Sequence, residues 1–479
     1  GSAWTRSSTP WHGSEAGDMH KYARRILLSD LGSWWPAIAT VAGVTMLVGL
    51  CPAQFAWPHD ARFIAAVSAQ GHAITEFTIV SETIYLLVAA LALFSLTVVG
   101  IATVESTRRT FSQWRLVGAT PNDVRRSIWA LVATAACIGA VPGSVLALGL
   151  SYLVVPAFNQ MAAPGFDAPI LPPSILAWLV SLLLGVATCM LGAFGPAHRA
   201  SRTQAIEVFR AVPGRRRKGW WWRAPLAVIL LVSSLAMVVA AAVMGRSEAG
   251  VAVMFNLAMN AGISAVLFIY VVGPLLIPVA LAGLGHLAGA VGSVTGLLAG
   301  KAAVERAGTS ANTIAPLAAG IGGVGVILTS VESAAAVVRS FDSSVETNLA
   351  DTLIMAALIS FVLLVTSAAV VSLASRDLER EHSLLRIAGM PSRRITLWYV
   401  WQSCLLALTG TVLALVPIVI TVATTAISSA AYAGHPIVSV PWMTLVLGFV
   451  LAWLVLFLVQ WWPARASLRA DVAVGLRAA

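Results

Sequence analysis

Charge is what this sequence has least of. Only 10% of its 479 residues are Asp, Glu, Lys or Arg, against about 25% in a soluble domain. With 58% hydrophobic residues and a mean hydropathy of +0.86, it has too little polar surface to enclose a water-soluble core. Cysteine is almost absent. Cys51, Cys137, Cys189 and Cys404 lie far apart, in or beside apolar runs, with no Cys-x-x-Cys, zinc or disulfide spacing. They read as small apolar side chains of membrane helices. The eight His are scattered, and no Ser/His/Asp set or metal-ligand cluster converges, so neither a catalytic centre nor a metal site is expected. Lysine is the scarcer cation, three residues against 27 Arg, a codon bias of GC-rich bacterial genomes.

What the chain does have is long apolar runs. A membrane-spanning helix needs about 20 mostly apolar residues, and ten stretches qualify: 36–52, 79–104, 127–154, 175–194, 224–244, 252–281, 311–331, 352–375, 396–425 and 442–462. The expected fold is an all-α polytopic membrane protein. Placing the N-terminus in the cytoplasm puts 27 of the 30 basic residues on that side and leaves Arg62, Arg246 and Arg339 outside. This is the positive-inside pattern, and it predicts N-in, C-in topology in a bacterial cytoplasmic (inner) membrane. The net charge of +10 is then a topology signal. Its basic residues are dispersed along membrane-flanking segments, so no nucleic-acid partner is expected. Nine acidic residues fall outside, as solvated loop acids or as an attractant for cations. Residues 1–18 are polar and lack helical periodicity, whereas Met19 leads into His20, Lys21, Arg24 and Arg25. Segment 1–18 therefore reads as a tag remnant or disordered tail.

The sequence repeats itself. Between spans two and three stands Arg115-Leu-Val-Gly-Ala-Thr-Pro121, and between spans eight and nine Arg386-Ile-Ala-Gly-Met-Pro-Ser392; the Arg and Gly match at one common offset. Each repeat closes alike, in Pro196-Ala-His-Arg-Ala-Ser-Arg202 and Pro463-Ala-Arg-Ala-Ser-Leu-Arg469. Each opens on an amphipathic stretch, 22–31 before span one and 297–306 before span seven. The expected organisation is a first four-span repeat over 19–210, a basic linker with a two-helix hairpin over 211–290, and a second four-span repeat over 291–479.

These residues resemble the FtsX-like, MacB-type family of ABC transporter permeases in a ten-span, two-repeat form. The resemblance covers nearly the whole chain apart from 1–18 and the middle hairpin. The first motif is the close match; in the second, Met390 and Pro391 replace Ala-Thr. The resemblance implies a partner ABC ATPase on a separate polypeptide, which carries the ATP and Mg, with no cofactor in this chain. MacB-type proteins generally carry a large extracytoplasmic domain between spans one and two, and ten-span relatives usually carry one before span eight. Here the corresponding segments, 52–78 and 332–351, are short, which counts against a periplasmic stalk or lever.

A permease driven by a separate ATPase needs a short cytoplasmic element seated on that subunit. It requires apolar knobs, a cationic anchor and a helix break. In the first motif Trp114, Leu116 and Val117 are the expected knobs, Arg115 the anchor, and Gly118 with Pro121 the turn before span three. Leu385, Arg386, Ile387, Gly389 and Pro391 form the second set. An ordinary basic loop is the plainer alternative, and recurrence at matched positions argues against it. Two elements in one chain imply two ATPase subunits per permease, on interfaces that are not equivalent. The phosphate-loop lookalike Gly296-Leu-Leu-Ala-Gly-Lys-Ala302 lacks the upstream Gly and the Ser/Thr that would bind magnesium, so no ATPase site is expected here. Arg215–Lys218 with Trp220–Trp222 reads as an interfacial anchor or as a site for anionic lipid. Small residues at spacing four, Gly139/Gly143 and Gly292/Gly296/Gly300, together with Gly320 to Gly325, suggest close helix packing.

Polar groups near membrane depth are costly and invite a functional reading. Glu82 and Glu332 sit at the outer ends of spans two and seven, and Asn256 and Asn260 lie one turn apart in span six. They are candidates to face a substrate, for example an outer cavity that receives a cationic amphiphile; interfacial carboxylates that reach water are the alternative. The functional expectation is export or lateral release of a lipid, peptide or antibiotic. Mechanical regulation of a cell-wall enzyme or sensor through an extracytoplasmic partner is the second reading. A secondary transporter is a third, and central ionisable residues for it are scarce.

Overall fold

The structure, a computed structural model, describes residues 31–71, 95–104, 120–162, 175–202, 220–244, 250–290, 294–305, 307–341, 356–372 and 389–469, with the isolated residues 74, 92 and 353. Everything regular among them is helical. In chain order the helices are α1 (Leu31–Ala56), α2 (Ala61–Ala69), α3 (Ser95–Val104), α4 (Pro121–Ala162), α5 (Ile175–Arg202), α6 (Trp220–Met244), α7 (Gly250–Ala290), α8 (Val294–Glu305), α9 (Ala307–Phe341), α10 (Ala356–Ser372), α11 (Ser392–Ala433) and α12 (Trp442–Arg469). An all-helical solution is what a lipid solvent demands, because a helix satisfies its backbone N–H and C=O groups within itself.

Each expected apolar stretch overlaps a helix among the described residues, 79–104 only through Ser95–Val104 and 352–375 only through Ala356–Ser372. Among the described residues, seven helices are long and apolar enough to cross a membrane; α3, α10 and the apolar part of α1 at Ala37–Leu50 are shorter. The helices outrun the expected stretches. Helices α4 and α11 have 42 residues each, about 63 Å at 1.5 Å per residue, roughly twice the hydrocarbon thickness. Helix α9 continues to Phe341, well into the segment expected as a loop from 332. Segment 52–78 likewise holds the end of α1, a 3-10 turn at Trp57–His59 and α2, the last capped by Asp60, whose carboxylate accepts from the Arg62 amide at 2.8 Å. Length rules stop at the apolar run, whereas helix formation continues through Ser, Thr and Ala beyond it.

The two repeats share one frame. Helix α1 packs along α4 as α9 packs along α11, and these are the two most extensive pairings among the described helices. Helices α4 and α11 each begin three residues after the motif glycine and have equal length, so their residues correspond one to one. Gly139 and Gly410 are both the nineteenth residue of their helix, and each faces the inner helix of its own half. The hairpin α6–α7 belongs spatially to the second half, with α7 against α9 and α11, and α6 against α7 and α11. Tyr270 of α7 also shares a side-chain hydrogen bond with Thr97 of α3. One apolar cluster runs through Val41, Leu96, Ile128, Val266, Ile327 and Leu363, drawing on both halves and the hairpin.

Burial ranks the helices from inside to outside. The membrane-length window of α9 is 89% buried, against 22% for α5 and 17% for α6 and α12. Helix α9 is therefore the axis of the second half, and the other three present apolar faces outward, including Leu183, Val239 and Leu447. Lipid tails are as apolar as Leu, so close packing rather than hydrophobicity must hold helices together here. Glycine supplies it. A Cβ at Gly143 would run into the carbonyl of Ala42 on α1, with the Ala42 Cα at 2.9 Å, and one at Gly139 would lie 2.7 Å from the Ile38 carbonyl. Gly100 and Gly192 form a reciprocal crossing of α3 with α5, each against the other helix's backbone.

Gly143→Val should therefore lower stability by about 2 kcal/mol through overpacking. Gly149→Ala, at a position with nothing within 4 Å of its added Cβ, should stay within about 1 kcal/mol of the parent. Unfolding midpoints of the two variants in detergent measure the contrast, and equal midpoints would contradict this packing.

Candidate functional site

Two regions concentrate the expected functional residues: the entries to α4 and α11, and the start of α7 with the far ends of α9 and α11. In the first motif Trp114, Arg115, Leu116, Val117 and Gly118 lie outside the described residues; Pro121 is the first residue of α4 and is exposed. The start of this helix is closed by a reciprocal pair. The Thr120 amide and hydroxyl both donate to Asp123 Oδ2, at 3.1 and 2.6 Å, and the Asp123 amide donates to Thr120 Oγ1 at 3.3 Å. This is a capping box with Asp in place of Glu. Pro at the first helical position loses no hydrogen bond, and the Asp carboxylate favours the positive end of the helix dipole. One turn further in, Val124 and Ile128 are fully buried, and Trp129 meets Phe194 of α5 edge-on at 5.8 Å.

The second entry is built differently. Leu385, Arg386 and Ile387 lie outside the described residues. Gly389 has φ +82°, a left-handed conformation that side chains with a Cβ adopt at a cost. Pro391 then precedes α11 in an extended conformation with no side-chain cap, and its carbonyl accepts from the amides of Arg394 and Ile395 at 2.9 and 3.3 Å. Behind this turn Ile395, Trp398 and Tyr399 are buried with Ala288 of α7 and Ala299 of α8, and Met390 packs on the same cluster. Trp398 and Tyr399 are edge-on at 5.2 Å. A displacement of the second motif thus bears on α7 and α8, whereas α5 lies beside the start of α4. The Gly296–Ala302 lookalike is helical within α8, with Gly296, Ala299 and Gly300 buried; Gly300 lies against Gly285 of α7. Its backbone amides are therefore not arranged as a phosphate-binding loop.

In the other region, Glu82 lies outside the described residues. Glu332 is partly buried, and its Oε2 accepts from the Ser439 hydroxyl at 2.8 Å. Ser439 also donates its amide to Ser333 Oγ at 3.1 Å, so the α11–α12 connection is fastened to the end of α9. Asn256 and Asn260 are exposed on α7, and Asn260 Nδ2 donates to the Asn256 carbonyl at 2.8 Å. Glu332 sits among hydroxyls; the two Asn occupy an outward face of α7. Sequence reasoning missed the Thr120–Asp123 pair, which the Thr-Pro-Asn-Asp spacing announces. It also missed the hydroxyl series Thr421, Thr424, Thr425, Ser428 and Ser429 on α11, all 0–1% exposed. The closely spaced Ser and Thr were legible; their burial required the fold.

Comparison with known proteins gives one family match. The model for the FtsX-like permease C-terminal domain matches residues 82–205 and again residues 351–472. A search of curated proteins found no match. The two matched segments end three residues beyond α5 and α12, contain α4 and α11, and include both motifs.

Loss of the cap by Thr120→Ala should cost about 1 kcal/mol, and the double change with Asp123→Ala should cost less than the sum of the single ones. Gly389→Ala should cost a further ~1 kcal/mol of backbone strain. Unfolding midpoints in detergent report all three, and additive losses at Thr120 and Asp123 would refute the reciprocal cap.

Proposed function

Because the chain belongs to the FtsX-like permease family, a family of multi-pass permeases that generally work with ABC ATPases, we propose that it is the transport subunit of a bacterial inner-membrane exporter. A separate ATPase, holding the ATP and Mg, moves it; the cargo is a hydrophobic or amphipathic molecule such as a lipid, peptide or antibiotic, exported or released laterally. The supporting observation is the duplicated entry: two 42-residue helices, each starting three residues after a motif glycine. Two ATPase subunits would dock through Trp114, Arg115, Leu116, Val117, Gly118 and Pro121 on one side and Leu385, Arg386, Ile387, Gly389 and Pro391 on the other. The capped first entry resists bending; the glycine turn of the second leads into an aromatic cluster shared with α7 and α8. On this reading the second half and its hairpin take the larger movement. Glu82, Glu332, Asn256 and Asn260 are the proposed substrate-facing groups. Mechanical control of a cell-wall enzyme or sensor is the second reading, with α2 and its capped turn offering the short extracytoplasmic surface a partner would grip.

Purification from the native host should bring down an ABC ATPase at two subunits per chain. Arg115→Glu should remove one and Arg386→Glu the other, and a chain that purifies alone beside its genomic neighbours rejects the proposal. With the complex in hand, Glu82→Gln together with Glu332→Gln should lower substrate-stimulated ATPase activity about tenfold; unchanged stimulation removes both carboxylates from the substrate path.

A further inference from the structure

Between α9 and α11 lies a polar seam that the repeat frame does not require. On α11, Thr421, Thr424, Thr425, Ser428 and Ser429 are all buried. Counted from the shared helix start, Thr421, Thr424 and Thr425 stand where the first half has Leu150, Leu153 and Val154. On α9, Gly322 faces Ala414 and Pro417, and Gly325 faces Ile418. Thr329 and Glu332 continue that stripe at helical spacing, in the direction of the α11 turns that carry Thr421 and Thr425. Helix α7 completes the junction, since a Cβ at Gly262 would meet both Thr421 and Val326.

The hydrogen bonding of this seam is uneven. Thr421, Thr424, Thr425 and Ser428 each donate to the carbonyl four residues back on α11, which leaves their oxygens able to accept. On α9, Thr329 Oγ1 and Ser330 Oγ, both on residues with no exposed surface, have no partner. Such groups are costly to bury and ask for an explanation. A strap closes the top: the Ile437 amide donates to Ser429 Oγ at 2.9 Å, and Ser439 holds both Ser333 and Glu332. Among the described residues the charge of the seam is negative. Glu332 supplies its carboxylate, and Arg339, two turns further along α9, is exposed with its Nε turned back to the Ala335 carbonyl.

We infer that the α9–α11 seam is a binding site for the ammonium-bearing head group of an amphiphile. Glu332 is the charge partner, Thr329, Thr421 and Thr425 are hydrogen-bond partners, and the Ser439 strap closes the site in this structure. The inference deepens the reading of this chain as a permease for amphipathic cargo. An ammonium group donates, as the Ser439 hydroxyl now does, and a seam of hydroxyl oxygens beside one carboxylate offers it acceptors that an anionic head would lack. The Ser439 hydroxyl holds the place the ammonium would take, so strap release and binding are one event. In the first half the matching positions are Leu150, Leu153 and Val154, which offer no hydroxyl.

The test is binding of a dansyl-labelled dodecylammonium probe to the chain in nanodiscs, read by fluorescence anisotropy. Empty nanodiscs and a neutral dodecanol analogue serve as references. Saturable binding of the ammonium probe alone is expected. Glu332→Gln should weaken it about tenfold, as loss of a charge-assisted hydrogen bond does. Thr425→Val should weaken it about threefold through loss of a neutral hydrogen bond, which keeps the test alive if the Glu332 variant does not fold. Ser439→Ala should tighten binding about threefold, because it removes the competing donor. Ser151→Ala, a buried hydroxyl of the first half, should leave binding unchanged. Equal binding of the neutral analogue, no effect of Glu332→Gln, or weaker binding in Ser439→Ala each overturns the inference. None of these readouts involves the ATPase, so their failure leaves the permease reading standing, and absence of a co-purifying ATPase leaves the seam standing.

Discussion

Close approach of helix backbones is the constraint on which this structure depends. In lipid, apolar side chains gain little by touching one another, so helix association rests on contact area and on small residues that let backbones meet. The chain places glycine where that matters: Gly139 and Gly143 against α1, Gly100 against Gly192, and Gly322 and Gly325 against α11. These contacts position α1 and α9 as the inner members of their halves. They also fix α4 and α11, and with them Pro121 and Ser392 at the helix starts, relative to their neighbours. A lever is useful only if its far end is rigidly attached.

Much of this was legible in the sequence. The apolar stretches, where described, and the Pro-Ala endings fall on helices, and Gly389 marks the start of one, because lipid removes the alternatives to helix that water would permit. The spacing Gly139/Gly143 announced a close contact, and the backbone of Ala42 is what it contacts. Other features could not be read this way. The lengths of α4, α9 and α11 exceed their apolar runs because each helix continues through polar or charged residues, Asn122 to Arg126 in α4, Glu332 to Arg339 in α9, and Ser428 and Ser429 in α11. The burial of Thr421 to Ser429 depends on α7 and α9 arriving beside α11, which no local pattern encodes. The pairing of Glu332 with Ser439 joins residues 107 apart in sequence. Glu332 was marked out by its cost near membrane depth, but its partner could come only from the fold.

The two halves share a frame and differ in how its ends are finished. At the motif end of α4, a side-chain cap and Pro121 lock the backbone; before α11, a left-handed glycine and an uncapped proline leave the turn to the Pro391 carbonyl's bonds and the packing of Met390. At the far end, Leu150 and Val154 answer to Thr421 and Thr425. Both differences point the same way. The second half has the softer entry, the polar interior and the extra hairpin packed against it, and the first half has the stiffer entry and an apolar wall.

The polar interior need not be a heavy burden on the closed state. A hydroxyl that donates to the carbonyl one turn back keeps most of its hydrogen bonding without a neighbour, so Thr421, Thr424, Thr425 and Ser428 can be buried with their donors satisfied. The same hydroxyls can take water or a ligand when the helices part, since their lone pairs are still free to accept. A wall of Leu would have to be wetted at about 25 cal/mol per Å² of exposed area. A seam of self-bonded hydroxyls is thus cheap to close and cheap to open, and opening the strap also releases the amides of Ile437 and Ser439 from Ser429 and Ser333. Such self-bonded hydroxyls on α11 therefore let this face of the second half part from its neighbours at little cost, even though glycine contacts of the same closeness occur in both halves.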